Sequence, residues 1–128
     1  MKAKVIKVGD VKSLIAKFKT EIRKASIEIR HTVQWFNYAE AGRQVEIKDA
    51  LSYAVEQLQD VVRASPTVVL VSDINGIISE TKSMLQICKA DIRGALKCAA
   101  YSDADRYYAA QGCMEYVIDS LRIRLLEQ

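Results

Sequence analysis

The sequence predicts an all-α domain of four or five helices, and three observations carry that reading. Apolar residues recur at alternating steps of three and four over most of the 128 residues, which is the period of a helix face. Proline occurs once, so little interrupts those periods. The one strand-like run, Thr67 to Val71, finds no partner run elsewhere in the chain, and a lone strand is not stable.

Asp10, after Gly9, is placed to cap a first helix. Val11, Ile15, Phe18, Ile22, Ala25, Ile29, Val33 and Phe36 give that helix one apolar stripe, and Gly42 is expected to end it. Lys12, Lys17, Lys19, Arg23, Lys24 and Arg30 form its outer face, which reads as a solvated exterior. The second helix spans Glu46 to Ala64, with Ile47, Leu51, Ala54, Val55, Leu58, Val61 and Val62 on one side. Pro66 stops it, because its ring drives residue 65 out of the helical region.

Thr67 to Val71 is then expected to begin a buried helix. Ser72 or Asp73 is placed to cap a helix containing Ile74, Ile77, Ile78 and Leu85, and Gly76 weakens its continuity. Met84, Leu85, Cys88, Ile92, Leu96 and Ala99 continue the apolar stripe, with Asp91 at its edge. Ser102 with Asp105 resembles a capping box for the last helix. There Tyr107, Ala110, Met114, Val117, Ile118, Leu121 and Leu125 share a face. No internal repeat is read.

Half the residues are apolar, enough for residues 1–128 to form a single helical domain with its own core. Nineteen basic against sixteen acidic side chains leave a charge of +3, interleaved along the chain, so nucleic-acid binding is not expected. Cys88, Cys98 and Cys113 are an odd set without paired metal spacing, which implies free thiols in a reducing cytoplasm. The first nine residues lack the apolar core of a signal peptide, and no apolar run is long enough to span a bilayer.

Within the third helix, Cys88, Asp91, Leu96, Lys97 and Tyr101 stand at spacings of three, eight, nine and thirteen from the cysteine, and Ile92 follows the aspartate. This segment resembles the chromophore-bearing helix of phycobiliproteins. Ala90 stands where that family carries an arginine between cysteine and aspartate, with Lys89 before it. Ser65 and the run Leu70-Val71-Ser72-Asp73, with Gly76 beyond, are similar to the Ser-Asp-containing helix of beta-type members, although the connection to Cys88 is shorter. The short length fits better the phycobiliprotein-related, bilin biosynthesis-associated globins of non-photosynthetic bacteria.

The resemblance implies a globin-like fold of the phycobiliprotein type, with an antiparallel four-helix bundle as the alternative, and a linear tetrapyrrole (bilin) as cofactor. Cys88 then supplies the thioether. Asp91 accepts hydrogen bonds from the pyrrole nitrogens, Lys89, Arg93 or Lys97 meets the propionates, and Tyr101 closes the motif. In the competing reading Cys88 is a small buried hydrophobe and Asp91 a surface carboxylate.

His31, the single histidine, is followed by Thr32 and Val33 as in histidine phosphotransfer domains, but Gln34 and Trp35 depart from that pattern and Trp35 replaces a glycine. Trp35, Phe36, Tyr38, Tyr101, Tyr107 and Tyr108 offer rings to a planar ligand or belong to core and interface. No phosphate loop, paired-carboxylate metal signature or nucleophile elbow is found, so no enzyme is expected. The function this predicts is a non-enzymatic, bilin-binding, phycobiliprotein-like globin. The alternative is a helical interaction module, either phosphotransfer-like or an oligomeric scaffold. A homo-oligomer, a dimer through the long stripe of the first helix, is expected in either case.

Overall fold

A computed structural model describes residues 5–127. Strand β1 (Val5–Lys7) runs directly into helix α1 (Val8–Gln34), and a three-residue turn leads to α2 (Tyr38–Ala64). Strand β2 (Val68–Leu70) then runs into α3 (Val71–Lys97), and a second three-residue turn leads to α4 (Tyr101–Leu121). A π-helical turn over Arg122–Leu126 extends α4. The architecture is all-α apart from one two-stranded ladder. Part of the N-terminal segment read for a signal peptide, residues 1–4, lies outside the described residues. No helix among the described residues is long and apolar enough to cross a membrane.

The strand-like run is a strand, not the start of a helix. Val68–Leu70 pairs antiparallel with Val5–Lys7, aligning Val5 with Leu70, Ile6 with Val69 and Lys7 with Val68. The partner is three residues long, too short to show alternation in the sequence. Its central side chains, Ile6 and Val69, point into the core.

The first helix ends at Gln34, eight residues before Gly42. Phe36 takes φ 60° there, and the backbone N–H of Asn37 reaches the carbonyl of Thr32 while that of Phe36 reaches Val33. Those bonds satisfy the last carbonyls of α1 without a glycine. Asn37 then caps α2 by accepting from the N–H of Glu40. Gly42 lies inside α2, and a Cβ there would sit 2.9 Å from Cδ of Arg106, so the glycine allows two helices to approach. The last helix begins at Tyr101, and Asp105 pairs with Arg43 of α2 instead of capping. Leu96 and Ala99, expected in the core, are exposed, Leu96 in the last turn of α3 and Ala99 in the turn that follows it.

The chain is an internal duplication, contrary to the reading of its sequence. Each element of the second half begins 63 positions after its counterpart, as Val5 and Val68, Val8 and Val71, and Tyr38 and Tyr101 show. The two turns match atom for atom in kind: Ala99 takes φ 56°, the N–H of Ala100 reaches Ala95, and that of Ala99 reaches Leu96. With that offset, Asp10 aligns with Asp73, Ile15 with Ile78, Arg43 with Arg106, Tyr53 with Tyr116 and Leu58 with Leu121.

A local dyad relates the halves. The ladder is symmetric about Ile6 and Val69. Between α2 and α4, Arg43 meets Asp105, the counterpart of Gly42, while Arg106 lies over Gly42 itself. Arg43 also pairs with Glu40 and Arg106 with Asp103, again as counterparts. Hydrogen bonds from Gln44 and then Arg43 hold the Glu40 carboxyl below its ordinary range. Each half therefore contributes a helical hairpin, α2 and α4 pack along the dyad, and the hairpin turns lie at the end opposite the sheet.

The core follows the same symmetry. Val11 and Ile74, Leu14 and Ile77, Ala54 and Val117, and Leu58 and Leu121 are buried in pairs. The main departure is Phe18 against Thr81: the ring fills space beside Tyr116, whereas the Thr81 hydroxyl donates to the carbonyl of Ile77.

Candidate functional site

Duplication gives the molecule two equivalent grooves, each between one hairpin and the inner helix of the other. The predicted site lies in the smaller, of about 250 Å³, where Cys88, Asp91 and Tyr107 are among the lining residues. Cys88 faces inward from α3 and its thiol donates to the carbonyl of Tyr107, 3.1 Å away. Burial, then the carboxylates of Asp91 and Glu46, push that thiol's pKa up, so it is held protonated. Asp91 stands one turn on at the exposed rim. Lys89 is half-buried, Arg93 and Tyr101 are exposed, and none of the three lines the groove. The fold thus joins Cys88 to Asp91 and to Tyr107, and leaves the expected cations and Tyr101 elsewhere.

The larger groove, of about 730 Å³, lies among α1, α2 and α4. Every residue of the smaller groove has its counterpart here. Glu21, Lys24, Ala25 and Glu28 of α1 take the places of Met84, Ile87, Cys88 and Asp91, and Gln44, Ile47, Leu51 and Ala109 those of Tyr107, Ala110, Met114 and Glu46. Tyr108, Gly112, Cys113 and Tyr116 complete it. The Tyr116 hydroxyl donates to Glu21 across 2.5 Å, and Lys17 lies over its ring at 5.3 Å while approaching Glu21. Cys113 forms part of the floor, where burial and then Glu21 push its pKa up to about 12.

Two signals for this second groove stand in the sequence. Glu21, Lys24 and Glu28 recur at steps of three and four on one face of α1, a pattern submerged in the basic exterior. Ala109 and Gly112, three apart, place two small residues on one face of the last helix.

His31 is exposed in the last turn of α1, and Trp35 lies in the turn that follows. No group of three or more His, Cys, Asp or Glu able to hold a metal occurs among the described residues. All three cysteines are free thiols, Cys98 exposed and the other two buried.

Fold and grooves together define a duplicated β-α-α protein with a local dyad. Comparison with protein-family models, curated proteins and solved structures gives no match.

Proposed function

We propose that the chain is a non-enzymatic helical interaction module that pairs with a second copy of itself through the end bearing the hairpin turns. One observation carries this reading. Trp35, Phe36, Tyr38 and Tyr101 are 70%, 77%, 62% and 67% exposed, and all belong to the two turns or the residue that follows each. Tyr38 and Ala39 border one small cavity with Ser102, Asp105 and Arg106, so the two turns are neighbours. Rings of this size left in water are the anchors from which interfaces are built.

A second copy suits this end. The dyad emerges between the starts of α2 and α4, so coaxial stacking brings both turns of each chain into contact at once. Residues 32–39 carry no charge and their counterparts 95–102 carry only Lys97, so self-docking there meets little like-charge repulsion. The stripe first expected to dimerise is unsuited, since Val11, Ile15, Phe18 and Ala25 are buried within the chain and only its end, Val33 and Phe36, is exposed.

Trp35 is the single tryptophan and reports directly. Its emission is expected to move to the red on dilution as sedimentation passes from dimer to monomer, and Phe36→Ser should give monomer at every concentration. A monomer throughout, with unchanging emission, would refute the proposal.

A second reading, the bilin-binding phycobiliprotein-like globin in a reducing cytoplasm, rests on Cys88, Asp91 and Tyr107 sharing one groove. Co-expression with a bilin pathway tests it, and pigment should be lost in Cys88→Ala alone. The interaction module has the better support for two reasons. The Cys88 thiol is buried and protonated, so it is a poor nucleophile. The acid-Ile-Arg run and the tyrosine of the motif also recur 63 residues earlier as Glu28-Ile29-Arg30 and Tyr38, where Ala25 replaces the cysteine. They therefore belong to the repeat.

A further inference from the structure

The two grooves share one backbone design, so the difference between them isolates what side chains contribute. One is narrowed by Glu46, Cys88 and Tyr107, where the other has Ala109, Ala25 and Gln44. Its volume of about 730 Å³ lies in the range of small-molecule sites.

Gly112 is the clearest sign that the width is built. It lies within α4, where glycine costs about 1 kcal/mol relative to alanine. Its φ is not positive, and a Cβ would meet nothing within 4 Å, so neither the turn of the chain nor close packing requires it. The counterpart position is Asp49. What the glycine does is leave one wall of the groove bare.

The charges point to the occupant. Glu21 is already engaged by Tyr116 and Lys17. Lys24 and Glu28, one turn apart on the same wall, make no ion pair with each other or with any other described residue. The floor of Ala25, Leu51, Ala109 and Cys113 is apolar.

We propose that the groove among α1, α2 and α4 binds a small zwitterion with an aromatic or aliphatic body. The body lies on the floor against Tyr108 and Tyr116, its cation meets Glu28, and its anion meets Lys24. Binding is non-covalent, because Cys113 is a buried, protonated thiol that donates to the carbonyl of Ile47.

Three xanthene dyes of similar shape provide the test: rhodamine B, a zwitterion at neutral pH, rhodamine 6G, whose carboxylate is esterified, and fluorescein, an anion. Fluorescence polarisation should show saturable binding of one rhodamine B per chain, with each of the other dyes weaker by about tenfold, as expected for one lost charge-assisted contact. Gly112→Leu, which fills the bare wall, should abolish binding while Gly112→Ala retains it, with circular dichroism confirming the fold of both. Lys24→Gln should remove the preference for rhodamine B over rhodamine 6G, and Glu28→Gln the preference over fluorescein. No saturable binding, equal binding of all three dyes, or binding indifferent to Gly112→Leu would each overturn the proposal. These outcomes are read on the monomer as well as the dimer, so they do not depend on the turn-end interface.

Discussion

If the halves are built alike, matched truncations should cost alike, and Leu58 and Leu121 are the pair to cut. They are counterparts 63 positions apart on the two helices that pack along the dyad, and both are 0% exposed. Leu→Ala at a fully enclosed site removes the transfer energy of the side chain and leaves a cavity, a loss of about 3–4 kcal/mol. A domain of this length has roughly 5–15 kcal/mol of stability, so each single variant folds and the double variant is marginal or unfolded. In urea, with a slope near 1.5 kcal/mol/M, either substitution should lower the midpoint by about 2 M and leave the slope unchanged. Two midpoints within about 0.5 M of each other are the expected result. A loss below about 1 kcal/mol at either position, or costs differing by more than about 1.5 kcal/mol, would refute the equivalence on which the duplicated core rests.

Thiol labelling of the native protein with iodoacetamide at mildly alkaline pH should modify Cys98 alone, since Cys88 and Cys113 are buried; mass spectrometry finding two or three labels per chain would contradict this. Cys113 also sets a pH dependence: its native pKa is raised to about 12, so its contribution is complete below the ordinary thiol range and is lost as pH rises from there towards 12, which urea melts on wild type and Cys113→Ala should separate. Among the glycines, Gly76→Ala and Gly112→Ala should each raise stability by about 0.5–1 kcal/mol, because a Cβ meets nothing at either. Gly42→Ala should lower it, because the new methyl must displace Arg106 from the seam, and thermal melts of the three variants give the sign directly.

The helices were legible because burial imposes a period. Ile47 to Val62 in α2, and Tyr107 to Leu125 in α4 and its π-helical extension, follow the buried or half-buried face throughout. The boundaries were less so. The end of α1 is set by left-handed backbone at Phe36, a residue type with no preference for it, whereas the nearest glycine, Gly42, lies six residues beyond. The ladder escaped notice because pairing of three residues with three leaves no periodic trace. The repeat was hidden by exchange within the apolar class, such as Val11 for Ile74 and Leu14 for Ile77, which preserves packing and erases identity. At the candidate site, the residue types at Cys88 and Asp91 were visible but their surroundings were not. Which tyrosine lies beside the thiol depends on how α3 and α4 pack within their hairpin, and it is Tyr107 instead of Tyr101.

Joining two β-α-α units in one chain has a consequence beyond the shape it produces. As separate molecules, such units would assemble only above a threshold concentration, and every substitution would be imposed on both sides of the axis. A covalent link replaces that threshold with a fixed effective concentration. It also frees each position to change without its twin. Phe18 has a threonine as its counterpart at 81, Asp49 a glycine at 112, and Ala25 a cysteine at 88. One cleft can then be spent on filling the protein while its sister stays open, a division of labour that strict symmetry forbids.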